Sequence, residues 1–521
     1  MSHPWLVQEQ DRCNYGLQWQ QVIATNQAPN VVLGPPNFHY PPEKNVFAVQ
    51  GEQDQQYIQD FETNIRSPIK DFLVSELSDC TWTLNILRLG FENNRCDNPV
   101  VMHLFIQKSD YFFDHGNNAI KVLEGMEWVI PQNTKSPEKY FIDICQIYSS
   151  TLRSSGLQSN RGVDLTHNFE KIYEEYTPLP GLSIGREEYS AAGSLTGFLR
   201  HNDDIYSLTC RHVAFPDKNF RTGYKYQNGK EKLQVSIPAM KDHAETKSKL
   251  KFALDNIEFE TNNVRFEDAA SIDEEYMLCI ERQEMRRKLT LARYNAAEDY
   301  YPNAGYVSAA PEAWRKVSGY TGNLDWAIIH NVCLPRTRFV EEAQISSLIQ
   351  SKQKEHQWSN DECQAFNSKC QALQDSQEFN IKHPSSSSAL GTNKFYFKAP
   401  SRTLGWLACE LNSIRNIHHE NGHGESEECV FVGALHGGAA SGGGDSGGGD
   451  SGALIYDIDI DTTNSERHAA ALIPMAMIWG GNHHGSVVSG FGDVTYATPI
   501  GAVLKDIESE MGWDEGSLKF C

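Results

Sequence analysis

The sequence has no long uninterrupted hydrophobic run. Its opening, MSHPWLVQEQDRCNYGLQWQ, breaks each apolar stretch with Gln, Glu, Asp or Arg, which excludes both the apolar core of a signal peptide and a membrane anchor there. No later segment approaches the ~20 apolar residues with which a helix crosses a bilayer. These absences predict a cytoplasmic protein without a membrane partner.

Positive charge is also scarce. The chain carries 46 Lys and Arg against 68 Asp and Glu, a formal net charge of −22. Because a negative field repels phosphate backbones and anionic lipids, nucleic acid is not expected as a partner. The sequence does not indicate an oligomeric state.

Cysteines are not densely spaced. The twelve in the chain are scattered, unlike those of a small secreted scaffold held by disulfides. Since no export signal is visible, reduced thiols are the favoured interpretation, although an even number also permits disulfides.

The composition is that of a folded globular protein. Of the 521 residues, 40% are hydrophobic, 22% charged and 11% aromatic, and this length predicts two or three domains. Residues 1–45 are rich in Pro, Asn and Gln and are expected to form an extended arm. Residues 46–160 alternate helical and strand-like patterns in the order α-β-β-α-β, which predicts a small α/β domain. A polar linker is expected over residues 161–178.

The remaining residues, 179–521, show short strand-like runs separated by turn residues, which predicts an antiparallel β domain. Charged, helix-favouring segments interrupt this pattern at about 240–297 and 338–383. The first is expected to be a helical hairpin inserted in a loop. A final helix is predicted in GAVLKDIESEMG.

Three segments carry the parts that acyl transfer by a serine hydroxyl needs: a nucleophile, a base, and an acid that orients the base. His212 lies in LTCRHVAF at the end of a predicted strand, and Asp325 opens the β-branched run in NLDWAII. Ser451 lies in the turn of GGGDSGALIYD. Glycine before the nucleophile lets the chain curl so that main-chain N–H groups face an oxyanion. Gly449 and Ser451 are the predicted donors.

The blocks T-C-R-H-V, D-W-A-I-I and G-D-S-G, in this order, resemble the trypsin-like serine peptidases of the chymotrypsin fold. The resemblance covers about residues 180–515 and is closest to large intracellular members of fungal type. It implies a mainly β fold, a chymotrypsin-like double antiparallel β-barrel with helical insertions, preceded by the small α/β N-terminal domain. It also implies a serine endopeptidase that acts on polypeptides through an acyl-enzyme intermediate, with no cofactor and no metal.

The resemblance further implies substrate-binding residues. MIWGGN is similar to the segment that pairs with a bound peptide backbone, which assigns Trp479, Gly480 and Gly481 to substrate binding. Asp445, six residues before the nucleophile, would lie at the floor of the first side-chain pocket and select Lys or Arg. The alternative is that duplication of GGGDS placed an aspartate there by accident.

The chain also departs from the family. The spacings from 212 to 325 and from 325 to 451, 113 and 126 residues, exceed those of compact members, which the two insertions explain. No Ile-Val-Gly-Gly-like segment precedes the β domain, so activation by a freed amine paired with Asp450 is not predicted. Ser446 competes with Ser451 in the repeated GGGDS, but only Ser451 is followed by an apolar strand.

Metal binding and a non-enzymatic role are the other interpretations of the sequence. The His-rich segments, with His418, His419 and His423 in one and His483 and His484 in the other, match no strong zinc spacing and are expected to be solvated loops. Cys363 and Cys370 are expected to pack rather than to bind a metal, and Cys210 is expected to pack rather than to react. The alternative to an enzyme is a catalytically silent, peptidase-like binding or regulatory module.

Overall fold

The computed structural model describes most of the chain. The described residues are 4–15, 20–28, 33, 44–92, 94–107, 117–134, 139–147, 173, 178–189, 191–216, 222–267, 274–312, 320–331, 359–375, 380–382, 395–401, 406–433, 451–461, 469–481 and 494–521. No helix within these ranges is both long enough and apolar enough to span a membrane.

The N-terminal domain is a sheet covered by helices on one face. Its strands are β1 (Gln20–Thr25), β2 (Asn45–Phe47), β3 (Trp82–Gly90), β4 (Val100–Gln107) and β5 (Phe141–Ile147). Its helices are α1 (Gln55–Asp60), α2 (Arg66–Glu76) and α3 (Asn117–Asn133), with a π-turn at Phe61–Ile65 and 3₁₀ turns at Glu9–Tyr15, Glu52–Asp54 and Arg95–Asp97. β4 and β5 are parallel because α3 crosses between them, and the α-β-β-α-β order is as expected.

The two faces of this sheet bury different cores. Met102 and Ile144 pack in a cluster with residues of α2 and α3. Phe105 and Cys145 point to the opposite face and join the core that fills the β domain. Since side chains alternate along a strand, the sheet packs directly on the β domain with the face that the helices leave uncovered.

The expectation of an extended arm over residues 1–45 is wrong for β1. This strand pairs antiparallel with β5, and Val22, Ile23 and Ala24 are fully buried. Val22 lies in the core of the β domain, whereas Ile23 and Ala24 lie in the helix-covered core. Three consecutive apolar residues fit a strand with both faces covered. Of the linker predicted over residues 161–178, only Tyr173 and Pro178 are among the described residues.

The first half of the β domain is a nine-stranded sheet. Its strands are β6 (Ser183–Arg186), β7 (Gly193–Ser194), β8 (Gly197–His201), β9 (Asp204–Thr209), β10 (Tyr224–Lys225), β11 (Gln234–Ser236), β12 (Asn303–Ala310), β13 (Ala327–Asn331) and β23 (Lys519–Phe520). The order is β23-β8-β9-β13-β12-β11-β6-β7, with β10 also on β12. Because β7 runs almost directly into β8, the sheet curls back on itself.

The second half is a closed barrel. Its sheet contains β14 (Asn380–Ile381), β15 (Phe395–Lys398), β16 (Leu407–Leu411), β19 (Cys429–Gly433), β20 (Leu454–Asp461), β21 (Ala469–Gly481) and β22 (Val494–Pro499). β22 pairs with both β19 and β21, which closes six antiparallel strands into a ring. The fold is therefore mainly β, a chymotrypsin-like double barrel preceded by an α/β domain, as the sequence predicted.

Helices interrupt and end the β domain. α4 (Arg211–Ala214) follows β9, and α5 (Met240–Glu267) and α6 (Glu274–Asp299) form the helical hairpin between β11 and β12. α7 (Asn360–Asp375) lies in the second insertion, and α8 (Ile500–Met511) is the terminal helix. The helical insertions are confirmed, although residues 338–358 lie outside the described ranges.

A hairpin from the second half joins the N-terminal sheet. β17 (Ile417–Glu420) and β18 (Gly424–Ser426) pair with each other, and β17 pairs with β3. The expectation of a solvated loop is wrong for His418 and His419, which are 2% and 7% exposed. His418 Nδ1 bonds the hydroxyl of Thr83 at 2.8 Å, and His419 stacks on Trp82. The hairpin covers the edge of β3 at Trp82, Thr83 and Leu84, and β2 pairs with the other end of the strand.

Candidate active site

His212 lies just beyond the end of β9. The chain leaves the strand at Thr209, passes through Cys210 and turns into α4, where the side chain of His212 is 6% exposed. Phe215 N–H donates to the Arg211 carbonyl at 2.7 Å and closes the turn. The short helix therefore holds the imidazole close to the end of the strand.

Asp325 reaches the same place from the neighbouring strand. β13 is antiparallel to β9, with Ala327 opposite Thr209. Residues just before β13 therefore lie beside residues just after β9, and this register brings Asp325 next to His212. The Asp325 side chain is 1% exposed.

The carboxylate of Asp325 binds His212 twice. Oδ1 accepts the main-chain N–H of His212 at 3.0 Å, and Oδ2 lies 2.6 Å from Nδ1. An imidazole that donates from Nδ1 to a carboxylate presents Nε2 as its basic nitrogen. Nε2 is buried and has no hydrogen-bond partner among the described residues.

Ser451 lies on the second barrel, in the turn that enters β20. Its carbonyl accepts the N–H of Ser194 at 2.8 Å, and the next residue, Gly452, donates to the Ile478 carbonyl at 2.7 Å. Gly452 has φ +97°, a left-handed conformation that favours glycine. The Ser451 side chain is 3% exposed, and its Oγ donates to the Trp479 carbonyl at 3.4 Å.

Shared neighbours connect the segments of His212 and Ser451, since Ile478 and Gly193 each contact both. Cys210 Sγ donates to the Ile478 carbonyl at 3.2 Å. A Cβ on Gly193 would lie 2.3 Å from Val213 Cγ2 and 2.8 Å from the Ser451 carbonyl oxygen, so this glycine is enclosed between the two segments. Gly193 could not be predicted as a site residue, because its only signal in the sequence is a glycine in a short strand.

One predicted bond is not formed in this structure. Ser451 Oγ donates to Trp479, and His212 Nε2 has no partner among the described residues, so the hydroxyl and the imidazole are not hydrogen bonded. Such bonds are often long or misaligned without substrate and tighten in the complex.

The predicted substrate-binding segment lies at the end of β21. Trp479 is fully buried, whereas Gly480 and Gly481 pair with β22 on one side. β20 pairs with β21 only as far as Met477. In the described part of the chain, no strand covers the other edge of Gly480 and Gly481.

Several predicted residues lie outside the described residues. They are the oxyanion residue Gly449, the pocket residue Asp445, and also Asp450, Ser446, His483 and His484.

A metal-ligand set occurs at the same place. Ligand atoms of Cys210, His212 and Asp325 all lie within 4.8 Å of one another, and all three residues are buried. These atoms are engaged in hydrogen bonds: His212 Nδ1 with Asp325, and Cys210 Sγ with the Ile478 carbonyl. Cys210 is fully buried and packs as expected. The ten cysteines whose state the structure describes are free thiols.

Comparisons with known proteins give distant likenesses to solved structures and none to a family model or a curated protein. A solved structure of a glutamic-acid-specific serine protease, which uses a histidine triad in substrate binding, is similar over 64% of this chain and 98% of that chain, at 10% identity and a TM-score of 0.27. The expected kinship with fungal-type members stays a prediction.

Proposed function

We propose that the protein is a serine endopeptidase in which Ser451 is the nucleophile, His212 the general base and Asp325 the acid that orients His212. The observation that carries the proposal is the pair of hydrogen bonds between Asp325 and His212. These bonds leave the Nε2 atom of His212 available beside the segment of Ser451. General bases oriented in this way activate serine hydroxyls in acyl transfer.

The proposed reaction has two halves. His212 Nε2 takes the Ser451 Oγ proton while Oγ attacks the peptide carbonyl carbon, and the electron pair of the carbonyl bond moves to oxygen. Main-chain N–H groups of Gly449 and Ser451 hold this oxyanion. Nε2 then gives the proton to the leaving amine as the C–N bond breaks. In the second half, Nε2 deprotonates a water that attacks the acyl-enzyme ester on Ser451. Ser451 recovers its proton from Nε2 as the carboxylic acid product leaves.

A polypeptide is the proposed substrate. The edge of Gly480 and Gly481 that no described strand covers supports this, because an extended peptide binds by adding a strand to such an edge. Selection of Lys or Arg by Asp445 stays a prediction from the sequence. Equal turnover of Arg and Phe peptide esters would exclude it.

A silent, peptidase-like module is the second candidate. The observation that favours it is the Ser451 hydroxyl, which donates to the Trp479 carbonyl rather than to His212. A module of this kind would bind a peptide at the same edge without cleaving it.

Hydrolysis of fluorescent casein by the full chain separates the two candidates. An endopeptidase releases fluorescence with the wild type and with Ser446→Ala, and loses the signal by at least about 10³-fold with Ser451→Ala or His212→Ala. A folded wild type that binds casein without cleaving it would favour the silent module.

A further inference from the structure

The loop that carries Asp325 is held from the second half of the chain. Asn323, two residues before Asp325, donates its main-chain N–H to Glu428 Oε1 and accepts at its carbonyl from Thr498 Oγ1 at 2.8 Å. Trp326, one residue after Asp325, donates from its indole N–H to Asp506 at 2.6 Å. The position of Asp325 thus depends on residues more than a hundred positions away in the sequence.

Glu428 is an unusual residue for this place. It directly precedes β19, its side chain is fully buried, and burial raises its pKa to about 7. Among the described residues, Oε2 has no hydrogen-bond partner. A carboxyl group is costly to bury, and glutamate is rarely found in a core without a specific partner. The partner here is the main chain of the Asp325 loop.

Glu428 also lies beside the residue that contacts Ser451. The indole of Trp479 is close enough to favour the ionised carboxyl, although its N–H has no hydrogen-bond partner in the part of the chain that the structure describes. The carbonyl of the same Trp479 accepts the Ser451 hydroxyl. Its ring stacks on Tyr496 and lies near His418 of the β17–β18 hairpin. The buried side chain of Glu428 therefore contacts the Asp325 loop and also lies against Trp479, the residue that accepts the Ser451 hydroxyl.

We infer that Glu428 is a positioning residue, which fixes the Asp325 loop relative to Trp479 and thereby sets the placement of acid, base and nucleophile across the two barrels. This inference rests on the proposed function. Glu428 acts through Asn323 and Trp479 and contacts no reacting atom. Small displacements of aligned groups slow the chemical step more than they weaken substrate binding. Loss of the Glu428 carboxyl group therefore lowers kcat and leaves KM nearly unchanged.

The test compares Glu428→Gln and Glu428→Leu in the full chain. Gln keeps an acceptor oxygen for Asn323, so its kcat stays within about threefold of the wild type. Leu removes the acceptor, and kcat falls about 100-fold with KM within about threefold. Glu508→Leu is the matched control, since buried Glu508 also accepts main-chain N–H groups, but from Gly516 and Leu518 rather than from the Asp325 loop.

A second measurement does not depend on catalysis. Hydrogen exchange of the peptide containing residues 320–326 accelerates at least tenfold in Glu428→Leu and stays unchanged in Glu508→Leu. Unchanged exchange in Glu428→Leu would overturn the inference even if the protein hydrolyses peptides. Equal losses of kcat in Glu428→Leu and Glu508→Leu would also overturn it. If the wild type has no hydrolase activity, the proposed function fails, while the exchange result still decides whether Glu428 holds the loop.

Discussion

His212 and Asp325 are joined by two hydrogen bonds, one from the main chain and one from the imidazole of the same residue. The main-chain bond fixes the carboxylate, and the fixed carboxylate then orients the ring. Because the carboxylate oxygen beside Nδ1 can only accept a hydrogen bond, the ring has one preferred tautomer, with the proton on Nδ1. This relationship makes His212 a base with a defined direction.

Asp325→Asn tests this orientation. The amide oxygen still accepts the main-chain N–H of His212, but the amide N–H₂ then faces Nδ1 and favours the wrong tautomer. We expect kcat to fall by about 10³- to 10⁴-fold while the fold is retained. Steady-state kinetics with a peptide substrate and thermal unfolding measure the two effects. A loss of less than tenfold in kcat would show that Asp325 does not orient the base.

Gly452→Ala tests the turn that holds Ser451. The residue has φ +97°, and an added Cβ would lie 2.2 Å from the Ser194 carbonyl oxygen. We expect a loss of about 3 kcal/mol in the free energy of unfolding. Gly516→Ala is the control, because Gly516 has φ +77° with nothing within 4 Å of an added Cβ, and it should lose only about 1 kcal/mol. Equal losses in chemical denaturation would contradict the crowding at Gly452.

Stability should depend on pH through Glu428. Burial raises its pKa from 4.5 to about 7, so the folded state holds the proton more tightly than the unfolded state. The stabilising contribution is therefore fully present below pH 4.5 and is lost as the pH rises to about 7, a change of about 3 kcal/mol. Glu428→Gln removes this dependence. Denaturation of both proteins between pH 4 and 8 checks it, and parallel pH profiles would contradict it.

Thr83→Val tests the junction of the N-terminal sheet with the β17–β18 hairpin. The substitution keeps the shape of Thr83 but removes the hydroxyl that bonds His418 Nδ1, and both residues are buried. We expect a loss of about 1–3 kcal/mol in the free energy of unfolding. Thr83→Ser keeps the hydroxyl and should lose less. If Ser proves as costly as Val, packing of the methyl group rather than the hydrogen bond stabilises the junction.

The sequence predicted the features that depend on local pattern. The helices and most strands of both domains could be predicted because strands show alternation and helices show a longer period. The double barrel was expected from the resemblance of the three motif blocks, in their order, to trypsin-like peptidases.

The remaining features depend on contacts between distant segments. β1 is short and the β17–β18 hairpin has a polar sequence, and the partners of both lie far away along the chain. Glu428 looks like one of many acidic residues in the stretch GESEEC, and only the packed structure shows its bond to Asn323. Gly193 likewise gains its role from Val213 and Ser451, which are distant in sequence. Local propensity contains no information about such contacts.

Covalent labelling with a fluorophosphonate tests the central claim most directly. The account predicts that peptide mapping by mass spectrometry finds the phosphonyl group on Ser451, that Ser451→Ala abolishes labelling, and that Ser446→Ala does not. Asp325→Asn should slow the labelling without moving it. Labelling at Ser446, or no labelling of folded wild type, would contradict the account.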